Sequence, residues 1–192
     1  MRDLYVTWSE YHHKIENLAV KIYQSNWQFD HIVCLAKGGL RVGDILCRLY
    51  DKPLAILSTA SYGGENNQER SKIKFSEHLS TIHPLGDQPA LKDTLCPSGK
   101  PSDNGMTTLR ILLVDDLVDS GISLKESINW LKTKYAKNIF DIRTAVIWYK
   151  DTSIETPDYY VDYLPDNPWI HQPFEKYEQT RISELVAKLN HD

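Results

Sequence analysis

Ile111-Leu112-Leu113-Val114-Asp115-Asp116-Leu117-Val118-Asp119-Ser120-Gly121-Ile122-Ser123 is the stretch from which the rest of the chain can be read. An apolar run from Ile111 to Val114 that ends in Asp115-Asp116 describes a buried strand delivering two carboxylates to its C-terminal edge. Open α/β sheets bind their ligands at that edge. A short loop with Asp119, Ser120, Gly121 and Ser123 follows, and the spacing predicts a helix from Ile122 to Tyr135. Loop amides and a helix N-terminus together make an anion site, because several N–H groups converge there and the dipole is positive. Gly121 lets the backbone approach a phosphate, and the two serines add hydroxyl donors. Adjacent carboxylates beside such a pocket suit vicinal hydroxyls and a hard cation such as Mg²⁺. A lone Asp-Asp would be no more than a strand end. Here every element that a ribose 5-phosphate needs stands in order.

Upstream, His31 to Ala36 is a short apolar run rich in β-branched and small residues, which reads as a buried strand. Lys37-Gly38-Gly39 ends it, a helix is predicted over Leu40 to Tyr50, and Pro53 to Ala60 reads as the next strand. Strand, Gly-rich turn, helix, strand is a βαβ unit and implies a parallel sheet. Leu4 to Trp8 is predicted as a strand, with Ser9 as the N-cap of a helix whose apolar face is Tyr11, Ile15, Leu18, Ala19 and Ile22. Downstream, Asp141 to Trp148 and Tyr159 to Leu164 read as strands. Pro168, Trp169, Ile170 and Pro173 make a stiff aromatic connector. Glu175 to Leu189 reads as a last helix, with Ile182, Leu185, Val186 and Leu189 on one face, to be buried on the body or across a subunit contact. Phe75 to Thr108 holds several prolines and glycines and little periodicity. It reads as a long loop insertion, either a surface excursion or a lid.

The 192 residues suffice for one globular domain, and the net charge of −4 argues against nucleic acid as a partner. The three cysteines, Cys34, Cys47 and Cys96, lack metal-ligand spacing; Cys34 and Cys47 sit in apolar runs. Reduced thiols, with no secretory signal or membrane span in view, lead to the expectation of a cytoplasmic protein. His12-His13 are adjacent, so they point to different helix faces and do not form a metal site.

Two further elements carry chemistry. Cys34-Leu35-Ala36-Lys37-Gly38-Gly39-Leu40 offers amides and one positive charge to an anion. Trp148-Tyr149-Lys150 closes a predicted strand, and Trp169-Ile170 lies in the connector. An aromatic face can stack on a purine, and a lysine can donate to a ring carbonyl. Taken singly, these residues read equally well as a turn, a core tryptophan and a solvated lysine.

Together with Asp115 to Ser123, the sequence resembles the type I phosphoribosyltransferases. Tyr5-Val6-Thr7-Trp8, Ser61-Tyr62, Lys150 and the run from Tyr160-Val161-Asp162 to Pro165-Asp166-Asn167-Pro168-Trp169-Ile170-His171-Gln172-Pro173 are similar to microbial xanthine-guanine and hypoxanthine members. The resemblance implies a mainly parallel twisted sheet flanked by helices, as a single domain over 1–192. It adds a small hood from 1–8 and 158–174, an insertion at 75–108 and a terminal helix at 175–190. It implies transfer from phosphoribosyl pyrophosphate (PRPP) to a 6-oxopurine, yielding nucleoside 5-monophosphate and pyrophosphate. Asp115 and Asp116 would hold the ribose hydroxyls, with Asp116 also on Mg²⁺. Asp119 would take the proton from N7 of the base, and Asp119, Ser120, Gly121, Ile122 and Ser123 would cradle the 5-phosphate. Lys37 and Gly38 would contact pyrophosphate, with a cis peptide at Ala36–Lys37. Lys150 would donate to O6, Trp169 would stack on the base and the Ile170 carbonyl would read its 2-position. A homodimer or homotetramer is implied. In two places this chain departs from the family. His171 stands where an acidic residue is common, and Arg70 aligns poorly as the basic residue of the loop after Tyr62. Another acceptor base, or a non-catalytic PRPP-binding regulator, would be the alternative. Lys150 argues against adenine, whose 6-amino group would meet a second donor.

Overall fold

The structure, a computed structural model, describes residues 3–61, 73–81, 85 and 109–189. In chain order the elements are β1 (Asp3–Tyr5), α1 (Trp8–Gln24), β2 (His31–Ala36), α2 (Gly39–Tyr50), β3 (Leu54–Ser61), β4 (Ile73–Phe75), β5 (Leu109–Val114), β6 (Leu117–Val118) and α3 (Ile122–Lys134). They continue as β7 (Ile139–Lys150), β8 (Tyr159–Leu164), β9 (Trp169–His171), α4 (Lys176–Gln179) and α5 (Ile182–Leu189). The main sheet runs in the order β4-β3-β2-β5-β7-β6, and β8 also pairs with β7. Every pairing in it is parallel except that of β4 with β3. The fold is therefore the α/β class expected, with a mostly parallel sheet flanked by helices.

Parallel strands buried on both faces need apolar residues at every position, and β5 shows why. Ile111 and Leu113 enter the core on one side of the sheet with Leu124 and Leu131 of α3. Leu112 and Val114 enter the other, with Tyr11, Ile15, Leu18 and Ile22 of α1 and Val42 and Leu46 of α2. Gly43 lets α2 lie close on β2, since a Cβ there would be 2.8 Å from that of Cys34. β1 and β9 form a separate two-stranded parallel sheet, so the two ends of the fold meet in a hood above the main sheet.

Several boundaries differ from the sequence reading. β1 stops at Tyr5, and the cap of α1 is Thr7 rather than Ser9. The Thr7 hydroxyl accepts from the Glu10 N–H at 3.2 Å while the Glu10 carboxylate accepts from the Thr7 N–H at 2.8 Å. Three residues beyond Ser9 stands His12, which cannot complete that reciprocal box. The expected helix over 175–190 is broken into α4 and α5, because Thr180 is extended and its hydroxyl donates back to the Lys176 carbonyl at 2.6 Å. Nor does α5 bury its apolar face on the body: Ile182 and Val186 are exposed and Leu185 is half-buried, while the side chain of Leu189 and residue 190 lie outside the described residues.

The start of the 75–108 segment is not loop. Phe75 belongs to β4 and stacks on Trp130 of α3. Ser80 exchanges two backbone hydrogen bonds with Ile56, each 3.0 Å, and Leu79 and Leu85 are buried in the core beside β3. A lid in residues 82–84 or 86–108, like Cys96 and the candidate Arg70, lies outside the described residues.

Candidate active site

The ends of β2 and β5 bring the phosphate-binding candidates together. The Ala36–Lys37 peptide is cis, and the exposed Lys37 leads into Gly38 at the head of α2. Gly38 lies flat against the acidic pair, since a Cβ there would be 2.6 Å from Cγ of Asp116. Gly39 is as close to β5: its Cβ would be 3.1 Å from the Asp115 Cα. No larger residue fits either place without moving the carboxylates or the strand.

Asp116 is buried and Asp115 half-buried. The Asp116 N–H donates to Asp115 Oδ1 at 2.9 Å. Burial raises both carboxyls above the ordinary aspartate range. For Asp115 the shift is large, and the neighbouring Asp116 charge adds to it. Two desolvated carboxylates side by side are the electrostatic situation that a hard dication relieves. Among the described residues no cluster of three or more His, Cys, Asp or Glu could hold a metal by itself. A cation here would complete its shell with water and substrate phosphate, as Mg²⁺ does. The donor set fits Mg²⁺.

The loop after β6 follows from Gly121. Its φ is +77°, a left-handed conformation that glycine adopts without strain, and an added Cβ would lie 2.8 Å from the Glu155 nitrogen. Ile154 N–H donates to the Ser120 carbonyl at 3.0 Å, and the Thr152 hydroxyl sits 3.2 Å from the Asp119 carbonyl. The turn at 151–156 thus buttresses the loop from behind, leaving Ser120, Ile122 and Ser123 exposed at the N-terminus of α3. Sequence reading missed this buttress, since a polar turn after a strand carries no distinctive pattern.

Lys150 ends β7 and is buried, yet its ammonium reaches the exposed Asp119: Nζ lies 3.4 Å from Oδ2. Trp148, two residues earlier, is buried and packs 6.0 Å from the Tyr11 ring. Trp169 is exposed on the hood, Ile170 is buried beneath it, and Asn167 of the same segment meets Thr152 at 3.3 Å. The structure therefore gathers Lys37, Gly38, Asp115 and Asp116 in one place, and Asp119 to Ser123 with Lys150 in the next. Trp169 and Ile170 stand on the hood. A contact that sequence reading did not assign joins the hood to the sheet: Gln172 Nε2 donates to Asp116 Oδ2 at 2.6 Å. His171 stacks on Tyr5 and lies 3.1 Å from the Glu175 carboxylate.

Comparison with known proteins agrees with this geometry. The phosphoribosyl transferase domain model matches residues 7–179. A protein named xanthine-guanine phosphoribosyltransferase from Idiomarina loihiensis is 24% identical over 177 residues, which is 92% of this chain and 89% of that protein. One of the same name from Gluconobacter oxydans is 26% identical over 175 residues, 88% of this chain and 83% of that one. Among solved structures, a purine phosphoribosyltransferase from Pyrococcus horikoshii superposes with a TM-score of 0.64 at 25% identity, covering 91% of this chain and 94% of that one. The xanthine-guanine-hypoxanthine phosphoribosyltransferase of Helicobacter pylori shares the fold, with a TM-score of 0.65 at 19% identity over 97% of this chain and 99% of that one. With the sheet order, the acidic pair and the phosphate loop all in place, the chain belongs to the phosphoribosyltransferase family and is a pentosyltransferase.

Proposed function

We propose that this enzyme transfers the 5-phosphoribosyl group of PRPP to N9 of a 6-oxopurine (guanine, xanthine or hypoxanthine), releasing pyrophosphate and a nucleoside 5-monophosphate for purine salvage. The observation that carries this reading is the 3.4 Å approach of Lys150 Nζ to Asp119 Oδ2 at the mouth of the phosphate loop. O6 and N7 are neighbours on one edge of a purine. A donor and a carboxylate held side by side match that edge, with Lys150 on O6 and Asp119 on N7. The names of the similar proteins support the same base class.

In this reading the ribose hydroxyls lie on Asp115 and Asp116, and residues Asp119 to Ser123 cradle the 5-phosphate. Lys37 and Gly38 face pyrophosphate, Trp169 stacks on the base and the Ile170 carbonyl reads its 2-position. Asp116 would hold Mg²⁺, which when bound neutralises charge on the departing pyrophosphate. As the bond from C1 to pyrophosphate breaks, the bond from C1 to N9 forms, and the N7 proton passes to Asp119. Being exposed, Asp119 can then return it to water. The reading also includes a cytoplasmic homodimer or homotetramer. Among the described residues no helix is long and apolar enough to cross a membrane.

The test is direct. Purified protein with PRPP and Mg²⁺ is incubated with each 6-oxopurine, and the product is identified by chromatography. The expected result is nucleoside 5-monophosphate from at least one of them, abolished by a chelator. Product from a pyrimidine and from none of the three would overturn the reading.

A further inference from the structure

Gln172 is the first residue after β9, and its side chain turns back from the hood into the main sheet. Nε2 donates to Asp116 Oδ2 at 2.6 Å, and Oε1 is buried with no hydrogen-bond partner. The backbone around it is fixed on both sides. The His171 carbonyl accepts from Val6 N–H at 3.0 Å, and the His171 ring stacks on Tyr5 at 4.3 Å. Two residues beyond, Phe174 lies under the Arg41 guanidinium at 4.0 Å and against Tyr11. A long, flexible amide is thus held in one place at the cost of its rotamer freedom.

Two features say what that order achieves. Asp116 is buried and faces Gly38 closely on one side, and its Oδ2 is held by the Gln172 amide. Removing one partner of a buried charged group is costly, which makes the Gln172 contact strong. An unpaired buried amide oxygen is costly in the free protein, so the Asp116 contact holds this side chain in place against an opposing penalty. We infer that Gln172 is a positioning residue: it sets the Asp116 carboxylate for PRPP and ties the hood that carries Trp169 and Ile170 to the PRPP site. This rests on the proposed function only in taking PRPP as the ligand.

Calorimetric titration of PRPP with Mg²⁺ into Gln172→Met, with no base present, decides it. Methionine fills the space but neither donates nor accepts a strong hydrogen bond. The expected result is PRPP binding at least about 10-fold weaker, the scale of a lost hydrogen bond to a charged group. In the ligand-free protein the lost Asp116 contact destabilises and the removal of the unpaired Oε1 stabilises, so the melting temperature should change little, and in turnover KM for PRPP should rise by a larger factor than kcat falls. If Gln172→Met does not fold, Gln172→Asn, one methylene too short to hold the contact, is titrated with the same expectation. Wild-type PRPP affinity in a folded variant overturns the inference, as does a lowered melting temperature with unaltered affinity. The titration needs no base, so its outcome is separate from whether a 6-oxopurine turns over.

Discussion

Asp119 and Lys150 form a pair whose members differ in how plainly the sequence shows them. Asp119 stands inside a specific motif, whereas Lys150 is a single lysine at a strand end, and only the fold puts their charged atoms 3.4 Å apart. With Asp119 taking the base proton, Asp119→Asn should lower kcat by about 10²–10⁴-fold, the usual worth of a general base, with KM for PRPP near its wild-type value. Steady-state kinetics on that variant check this, and an unchanged kcat would remove Asp119 from the mechanism. Gly38 makes the opposite prediction. Its φ of −56° suits any residue, so an added methyl acts by sterics alone, against the Asp116 carboxylate. Gly38→Ala should fold and raise KM for PRPP well above its effect on kcat. Wild-type PRPP kinetics in that variant would show that Asp116 has room to move. Gln172 was invisible as a functional residue because its partner lies 56 positions away, on another element.

At the scale of elements, the buried parallel strands were legible because a continuous apolar run that stops at charged residues fits little besides a strand buried on both faces. β2 and β8 appear where the sequence places them, and β5 ends at Val114 as read but begins two residues earlier, at Leu109. Legibility ends where structure depends on a partner. β4 and the bridge at Ser80 are made by few residues pairing with β3, too few to leave an alternating pattern, and nearby prolines and glycines hid them. Leu79 lies in this stretch and is buried. Leu79→Ala should therefore destabilise the protein by about 2–3 kcal/mol, as for other large-to-small core changes, measured by denaturant unfolding. A loss below about 0.5 kcal/mol, the range of surface substitutions, would mean that the stretch is surface excursion after all. The last helix differs for another reason. Its apolar spacing is real, but Thr180 and the fresh start at Arg181, whose N–H donates to Glu184, interrupt it.

For the whole molecule, stability and function compete at the acidic pair. Burial and mutual repulsion hold the Asp115 carboxyl well above its ordinary range. A carboxyl raised in the folded state favours folding while protonated. Its contribution is full below the unfolded value of about 4 and is lost as pH rises through the folded value. Ligand-free enzyme in chelator should accordingly be stabilised by Asp115→Asn at neutral pH, and less so toward pH 4. Unfolding curves at several pH values test this, and a difference that does not grow with pH would contradict it. The same variant should lose PRPP affinity. The fold class and the phosphate loop could be read from the chain because they are local in sequence. The hood could not be read in its geometry, since β1 and β9 pair across almost the whole chain.

If the base site is built for a 6-oxo group, as proposed, the ratio of kcat/KM for guanine, xanthine and hypoxanthine to that for adenine in one PRPP-dependent assay measures it most directly. Lys150 has only donors to offer and is buried, so a 6-amino group would leave both unpaired. The best 6-oxopurine should exceed adenine by about 10²-fold or more, as expected where a site's buried polar group goes unmatched. Comparable rates with adenine would contradict it.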